Sequence, residues 1–166
     1  MKAIESGAQA LPHPLRRRLT DGEQALAASV FGTALDAAAV TIRREKFWLL
    51  HPRRVTMAPN GHIWCHPEGD NWCADYAAAA LGLKAHFVHE MVHVWQHQQG
   101  INLFLRRLPF ARYRYALLPG KPFQRYGIEQ QACIVADAFL LREGALLAEK
   151  PPLAAYSSVI PFGRWH

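Results

Sequence analysis

The chain has 166 residues and a net charge of +6, and 51% of its residues are apolar while 19% are charged. This composition predicts one folded domain with a sizeable core and excludes a long disordered chain. No run of 18 apolar residues occurs, so the sequence predicts no membrane span, and the basic surface favours acidic partners only weakly.

Residues 1–19 contain Pro12 and Pro14 and predict an extended N-terminal arm. The arm has no apolar stretch long enough for a signal peptide, which predicts a cytoplasmic protein and leaves export by a signal-independent route open. Three cysteines, an odd count without a CxxC pair, predict free thiols: Cys65, Cys73 and Cys133.

The first predicted helix is capped by Thr20 or Asp21, carries Glu23 in its first turn and extends to about residue 39. The segment 41–52 fits either a strand or a buried connector. Residues 54–66, RVTMAPNGHIWCH, predict a β-hairpin, and the dipeptide Asn60-Gly61 favours a type I′ turn.

A long helix is predicted from just after Asp75 to Gln99, with Gly100 as its C-cap, because apolar residues recur at helical spacing. Four histidines fall within one narrow stripe of this helix, and imidazoles one turn apart can bind one metal ion. They are His86, His89, His93 and His97.

Only one neighbouring pair of these histidines has a carboxylate beside its first member. Glu90 follows His89, which gives the pattern H-E-x-x-H up to His93, whereas Phe87 and Val94 hold the equivalent place in the other pairs. A zinc hydrolase needs two such imidazoles and a carboxylate that takes a proton from water at the metal. The sequence therefore predicts Zn²⁺ on His89 and His93, with Glu90 as the general base.

A third zinc ligand is expected from a second helix, predicted from Ile128 to about Leu147. This segment is apolar nearly all round, so a carboxylate on it needs a partner, and Glu129 is the favoured ligand. Asp137, Glu143 and a histidine outside the motif remain alternatives. Asp137 is also a candidate for orienting a ligand histidine.

Substrate contacts are expected from two further places. An exposed strand above the metal helix can bind a peptide by β-addition, and the candidates are His62, Ile63, Trp64 and Cys65. Stabilising the oxyanion needs a further hydrogen-bond donor, and the candidates are His86, Tyr113, Tyr115 and Tyr126. The proline- and glycine-rich segment 101–127 predicts a lid or substrate wall, and residues 151–166 predict a C-terminal tail.

Four stretches resemble a small family of bacterial proteins labelled Vgr-related: LTDGEQALAASVFG, RRVTMAPNGHIW, FVHEMVHVWQHQ and IEQQACIVAD. This resemblance covers about residues 19–142 and implies a zincin-like domain linked to type VI secretion. More broadly, the chain resembles the gluzincins, whose third ligand is a Glu on a later helix. That resemblance implies His89, His93 and Glu129 as ligands and Glu90 as base. Cys133 stands where thermolysin-type gluzincins have an Asp, which separates this chain from thermolysin.

The predicted fold is α+β and zincin-like over residues 20–150. A small antiparallel or mixed sheet with a hairpin lies over the H-E-x-x-H helix, and a second helix bears Glu129. The predicted function is a zinc-dependent hydrolase, a peptidase acting on a peptide or protein, in which Glu90 activates water. One alternative is a non-catalytic, zinc-stapled binding module associated with a secretion system. A weaker one is a nucleic-acid binder using residues 105–115, LRRLPFARYRY.

Overall fold

The computed structural model describes residues 15–103 and 112–165, and these form the predicted α+β fold with a small mixed sheet. Its strands are β1 (Arg16–Arg18), β2 (Thr41–Arg43), β3 (Thr56–Met57) and β4 (Ile63–Cys65). Its helices are α1 (Asp21–Phe31), α2 (Leu81–Gln98), α3 (Ile128–Arg142) and α4 (Leu153–Ser157). Short 3₁₀ turns lie at Tyr76–Ala78 and Phe123–Arg125.

The sheet has the strand order β1-β2-β4-β3, with β2 and β4 parallel and the two outer pairings antiparallel. The predicted hairpin is confirmed as β3 and β4, which are joined by residues 58–62. The predicted type I′ turn is wrong, because that turn needs a positive φ at both central residues. Gly61 has a φ of 81°, but Asn60 does not have a positive φ.

Helix α1 begins as predicted and ends early. The Thr20 hydroxyl accepts from the Glu23 N–H at 3.0 Å, and the Glu23 carboxylate accepts from the Thr20 N–H at 2.9 Å. This reciprocal capping fixes the first turn. The helix stops at Phe31 rather than near residue 39, because Gly32 has a φ of 57°, a conformation that helical residues do not adopt.

The two long helices are shorter than predicted, for local reasons. Asp75 caps a separate 3₁₀ turn by accepting from the Ala77 N–H, so α2 begins only at Leu81. Helix α2 ends where Gly100 turns left-handed, at a φ of 77°. Helix α3 ends at Arg142 rather than near residue 147, because Gly144 has a φ of 87° and cannot continue the helix.

A buried ion pair joins the sheet to α1. Arg17 donates to both oxygens of Glu23, at 2.7 and 2.8 Å, and to the carbonyl of Cys73 at 2.8 Å. The Glu23 side chain has no exposed surface, and it also accepts from the backbone N–H of Tyr76 at 2.9 Å. One carboxylate therefore connects β1, α1 and the turn that precedes α2.

Helix α2 lies at the centre of the core, packed against α3 on one side and the sheet on the other. The C-terminal segment completes this core: Phe162 stacks on Phe31 with ring centroids 5.0 Å apart and contacts Trp95 at 4.9 Å. Trp165 is also buried. Gly163 allows this close approach, because a Cβ there would collide with the backbone oxygen of Val30.

Both predicted terminal segments contribute to this packed structure. Strand β1 lies within the arm of residues 1–19, and Tyr156, Ile160, Phe162 and Trp165 of the tail are buried in the core. The domain limits of 20 and 150 stay a prediction. Within residues 15–103 and 112–165, no helix is long and apolar enough to cross a membrane, and the three cysteines are free thiols.

We predict that Glu23→Gln lowers the free energy of unfolding by about 3–5 kcal/mol, because it leaves the Arg17 guanidinium buried without its charge partner. Chemical denaturation measures this change. Glu45→Gln is the matched control, since Glu45 pairs with the exposed Arg16 and should have a much smaller effect. Equal losses in the two variants would contradict the role assigned to Glu23.

Candidate metal centre

Helix α2 presents two imidazoles on adjacent turns, facing the first turn of α3. The rings of His89 and His93 have centroids 5.0 Å apart. Glu129 lies in the first turn of α3, where the helix dipole favours a negative charge. Its Oε2 atom is 3.2 Å from Nε2 of His89 and 3.1 Å from Nε2 of His93. The three side chains that the sequence predicts as metal ligands therefore converge on one point.

The size of this group fits a tetrahedral metal ion. Its three ligand atoms lie within 4.8 Å of one another, and no other such group of three or more occurs in the described ranges. Zinc bonds of about 2.0–2.1 Å in a tetrahedron place the ligand atoms about 3.3 Å apart. The separations of 3.1 and 3.2 Å differ from that by only a few tenths of an ångström. The group could therefore hold zinc with little movement.

Gln96 is oriented by buried hydrogen bonds. Its amide nitrogen donates to the carbonyl of Ile128 at 3.0 Å and to the side-chain oxygen of Gln131 at 2.9 Å. The Gln131 amide is fixed in turn, because its nitrogen donates to the backbone oxygens of Phe123 and Tyr126. Because these acceptors bind the amide nitrogen, the side-chain oxygen of Gln96 points towards His93, one turn earlier in α2.

The Gln96 amide in turn sets the tautomer of His93. Its side-chain oxygen lies 2.9 Å from Nδ1 of His93, so that nitrogen must carry the proton. In the neutral ring, Nε2 then presents a lone pair towards Glu129. Two electron-rich atoms 3.1 Å apart need a proton or a cation between them. This is the ring orientation that a metal ligand requires.

The electrostatics of His93 agree with a site for positive charge. Burial alone lowers the pKa of this ring, but the hydrogen bond and charge of Glu129, the charge of Glu90 and the contact with Gln96 raise its pKa overall. Negative charge around the ring therefore outweighs desolvation. A cation bound at Nε2 would meet the same field.

Glu90 lies close to His89, His93 and Glu129, and its charge acts on the His93 ring. Its side chain is only 3% exposed, and its Oε2 atom has no hydrogen-bond partner among the described residues. Such an atom is costly unless water or another polar group occupies the space next to it. Glu90 also lines a cleft of about 410 Å³. Glu90 therefore combines a place in the cleft wall with a buried oxygen whose hydrogen-bonding capacity is unused.

The cleft distinguishes between the predicted oxyanion donors. His86 and Tyr113 line it, together with Thr56. Nε2 of His86 is 2.8 Å from Oγ1 of Thr56, and the pKa of His86 is lowered by burial and by His89, against an opposing effect of Glu90. The surroundings of His86 therefore disfavour the charged form of its ring.

The other two tyrosines bond elsewhere. The Tyr126 hydroxyl accepts from the backbone N–H of Leu118 at 3.0 Å. The Tyr115 hydroxyl donates to Asp137 and contacts the Tyr156 hydroxyl at 2.9 Å. Within the described residues, neither Tyr115 nor Tyr126 lines the cleft.

The alternative third ligands lie away from the histidines. Asp137 accepts from Tyr115 and pairs with Lys150 at 2.8 Å, so the expectation that it orients a ligand histidine is wrong. Gln96 has that contact instead. Glu143 lies beyond the end of α3, beside Arg142 at 3.4 Å.

The predicted substrate strand has no free edge. Strand β4 is an inner strand, bonded to β2 on one side and β3 on the other. The expected β-addition of a peptide to residues 62–65 is therefore wrong, because addition needs unpaired backbone groups. His62 instead bonds Thr41, with its Nδ1 3.1 Å from Oγ1. Strand β3 is the edge strand, and its Thr56 lines the cleft.

Gln96 and Gln131 are the polar residues of this site that sequence reasoning missed. Gln96 follows His93 by three residues, so the two share a helix face, and a buried amide on an apolar helix was the available signal. His97 lies exposed near the end of α2. The expected lid and the stretch LRRLPFARYRY fall partly within residues 104–111, outside the described residues.

Comparisons with known proteins relate the chain to a bacterial secretion protein, both in sequence and in structure. Over 132 residues the chain is 41% identical to the type VI secretion system spike protein VgrG2b of Pseudomonas aeruginosa. The match covers 75% of this chain but only 13% of that protein. The solved effector domain of VgrG2b has a TM-score of 0.71 and 40% identity, over 77% of this chain and 75% of that domain. No model of a protein family matches the chain.

We predict that Gln96→Met weakens zinc binding about 10–100-fold, because His93 loses the acceptor that fixes its tautomer. Competition with a chromogenic chelator measures the affinity, and circular dichroism checks the fold. Gln99→Met is the matched control, since Gln99 is exposed at the end of the same helix. Unchanged affinity in folded Gln96→Met protein would refute the assigned contact.

Proposed function

This chain belongs to the family of the VgrG2b effector domain, and from that premise we propose that it is a zincin-like, zinc-dependent peptidase. The observation that carries the proposal is the buried Glu90 carboxylate, which has an unpaired oxygen beside a convergent His-His-Glu group. A purely structural metal site does not need an unsatisfied carboxylate next to it. A hydrolase does, because that carboxylate must accept a proton.

His89, His93 and Glu129 would hold the zinc, which leaves a fourth position open, as catalytic zinc sites require. When bound, zinc polarises the substrate carbonyl and makes water a stronger nucleophile at neutral pH. Glu129 contributes one negative charge to the ligand set. The Gln96 contact keeps the His93 ring in its ligating orientation.

Glu90 would act as the general base and then as the general acid. It takes a proton from the attacking water and later passes that proton to the leaving amine. Its burial keeps bulk water away from the carboxylate. His86 and Tyr113 are the cleft residues that can donate a hydrogen bond to the carbonyl oxygen as it gains negative charge.

The substrate would be an extended peptide segment. Among the described strands β3 is an outer one, and it continues into the wall of the cleft at Val55 and Thr56. A peptide that pairs with this strand would lie along the cleft, with its scissile carbonyl near Glu90.

The relation to a spike protein supports a place in type VI secretion. The chain matches the effector domain of VgrG2b, so we propose that it is exported by that route, which needs no N-terminal signal. The rival function is a binding module that keeps zinc as a staple. Catalysis by Glu90 separates the two.

We predict that Glu90→Gln retains zinc and fold but lowers peptide hydrolysis about 10²–10⁴-fold, the range for a lost general base. A mixed peptide library with mass-spectrometric detection provides the assay. His97→Ala is the control, since His97 is exposed and should keep both zinc and activity. If zinc-loaded wild type cleaves nothing across a broad library, the staple is the better account. If Glu90→Gln cleaves as fast as wild type, another base is at work.

A separate prediction concerns the third ligand. Glu129→Gln keeps the size of the side chain but removes its charge, and it should weaken zinc binding by at least about 10–100-fold. Metal content after dialysis, measured by mass spectrometry, reports the change. Glu143→Gln should bind zinc like the wild type, because Glu143 lies at the far end of α3. The reverse pattern would move the ligand to position 143.

A further inference from the structure

Two consecutive turns form the segment between β2 and β3. In the first, the His51 N–H donates to the Trp48 carbonyl at 3.1 Å, which places Leu49 and Leu50 at the central positions. In the second, the Val55 N–H donates to the Pro52 carbonyl at 3.2 Å, which places residues 53 and 54 at the centre. One turn thus presents two leucines and the next presents two arginines.

The first turn exposes a large apolar surface, residues Trp48–Leu50, here called the apolar tip. Leu49 is 86% exposed, Leu50 is 70% exposed and Trp48 is 50% exposed. Single exposed leucines are normal on protein surfaces, but three adjacent large apolar residues on one turn form a patch. Such a patch marks a surface that meets an apolar partner.

His51 holds the apolar tip in a fixed shape. The ring is buried, its Nδ1 accepts from the Phe47 N–H at 3.1 Å, and its Nε2 lies 2.7 Å from the Val55 carbonyl. It therefore connects the start of the first turn to the end of the second. The Phe47 ring packs edge-on against Trp64, with centroids 5.2 Å apart. The leucines are therefore exposed on a turn whose backbone is already fixed by hydrogen bonds. Binding of a partner to this turn would cost little conformational entropy.

Positive charge flanks the apolar tip on both sides. Lys46 precedes it, Arg53 and Arg54 follow it, and all three are exposed. Lys46 and Arg54 form no ion pair within the described residues, and the Arg53 pair with Glu68 is itself exposed to solvent. The chain as a whole carries a net charge of +6.

We propose that the apolar tip inserts into the surface of a bilayer of anionic phospholipids. The order of chemistry along the segment matches the layers of such a surface. Leucines enter the boundary of the acyl chains, tryptophan prefers the headgroup level, and the flanking cations contact lipid phosphates. A specific protein interface would bury about 800 Å² on each partner, which is more than the three residues of this turn can supply by themselves.

Membrane contact would place the candidate metal centre close to the lipid surface. Arg54 and Val55 of the second turn also line the cleft, so the segment that meets the bilayer continues directly into the cleft wall. This inference is independent of peptide hydrolysis. It concerns where the protein binds, and vesicle binding can be measured whether or not the cleft is active.

The test is co-sedimentation of the full chain with vesicles. One set contains phosphatidylcholine alone, and the other contains phosphatidylcholine and phosphatidylglycerol in equal amounts. Wild type should bind the anionic vesicles and bind the neutral ones at least about tenfold more weakly. Leu49→Ser combined with Leu50→Ser should lower binding to the anionic vesicles at least about tenfold. Lys46→Gln combined with Arg54→Gln should lower it similarly.

Leu146→Ser is the matched control, because Leu146 is 99% exposed and lies away from the apolar tip in sequence. It should bind like the wild type, and circular dichroism should show an unchanged fold in every variant. Absence of wild-type binding to anionic vesicles would overturn the proposal and leave the tip to a protein partner or to another segment of this chain. Full binding by the double serine variant, or equal binding to neutral vesicles, would also overturn it.

Discussion

A carboxylate buried between two imidazoles imposes the strongest constraint on this structure. Glu129 is only 1% exposed, and a buried charge is tolerated only where opposite charge or donors surround it. The histidines that face it come from α2, so α2 and α3 must pack in one register. The hydrogen bonds of Gln96 to Ile128 and Gln131 hold the same two helices at the same level. The position of the cleft and of Glu90 follows from this contact.

A second buried carboxylate fixes the turn that leads into α2. Glu23 connects β1, α1 and the turn before α2, while Glu129 connects α2 to α3. The two differ in what neutralises them. Glu23 has the guanidinium of Arg17, which carries its charge at every physiological pH, whereas Glu129 faces two imidazoles, which can bind a metal ion through a ring nitrogen. Of the two carboxylates, only Glu129 is placed to bind a metal ion together with the imidazoles. Metal binding there would contribute directly to folding.

The sequence predicts correctly those features whose geometry depends only on neighbouring residues. The spacing of His89, Glu90 and His93 on one helix fixes their relative positions, whatever the rest of the fold does. Glu129 could be favoured only through burial, because its distance from the histidines depends on how two helices pack. Strand order is likewise absent from the sequence, so β4 could not be recognised as an inner strand. Gln96 orients His93 only because Gln131 orients Gln96 in turn. The sequence shows that both residues are polar, but it does not show that they form a hydrogen bond.

The burial of the tail has a consequence for how the protein is made. The chain is synthesised from its N-terminus to its C-terminus. Phe162 and Trp165 therefore emerge from the ribosome after the helices against which they pack. Until then, Phe31 of α1 and Trp95 of α2 lack their contact with the Phe162 ring, and the apolar surface that this ring covers stays exposed to water. Helix pairing during translation therefore yields an incomplete core, which closes only once Phe162 and Trp165 have emerged. Apolar surface exposed in that interval makes the nascent chain prone to aggregation.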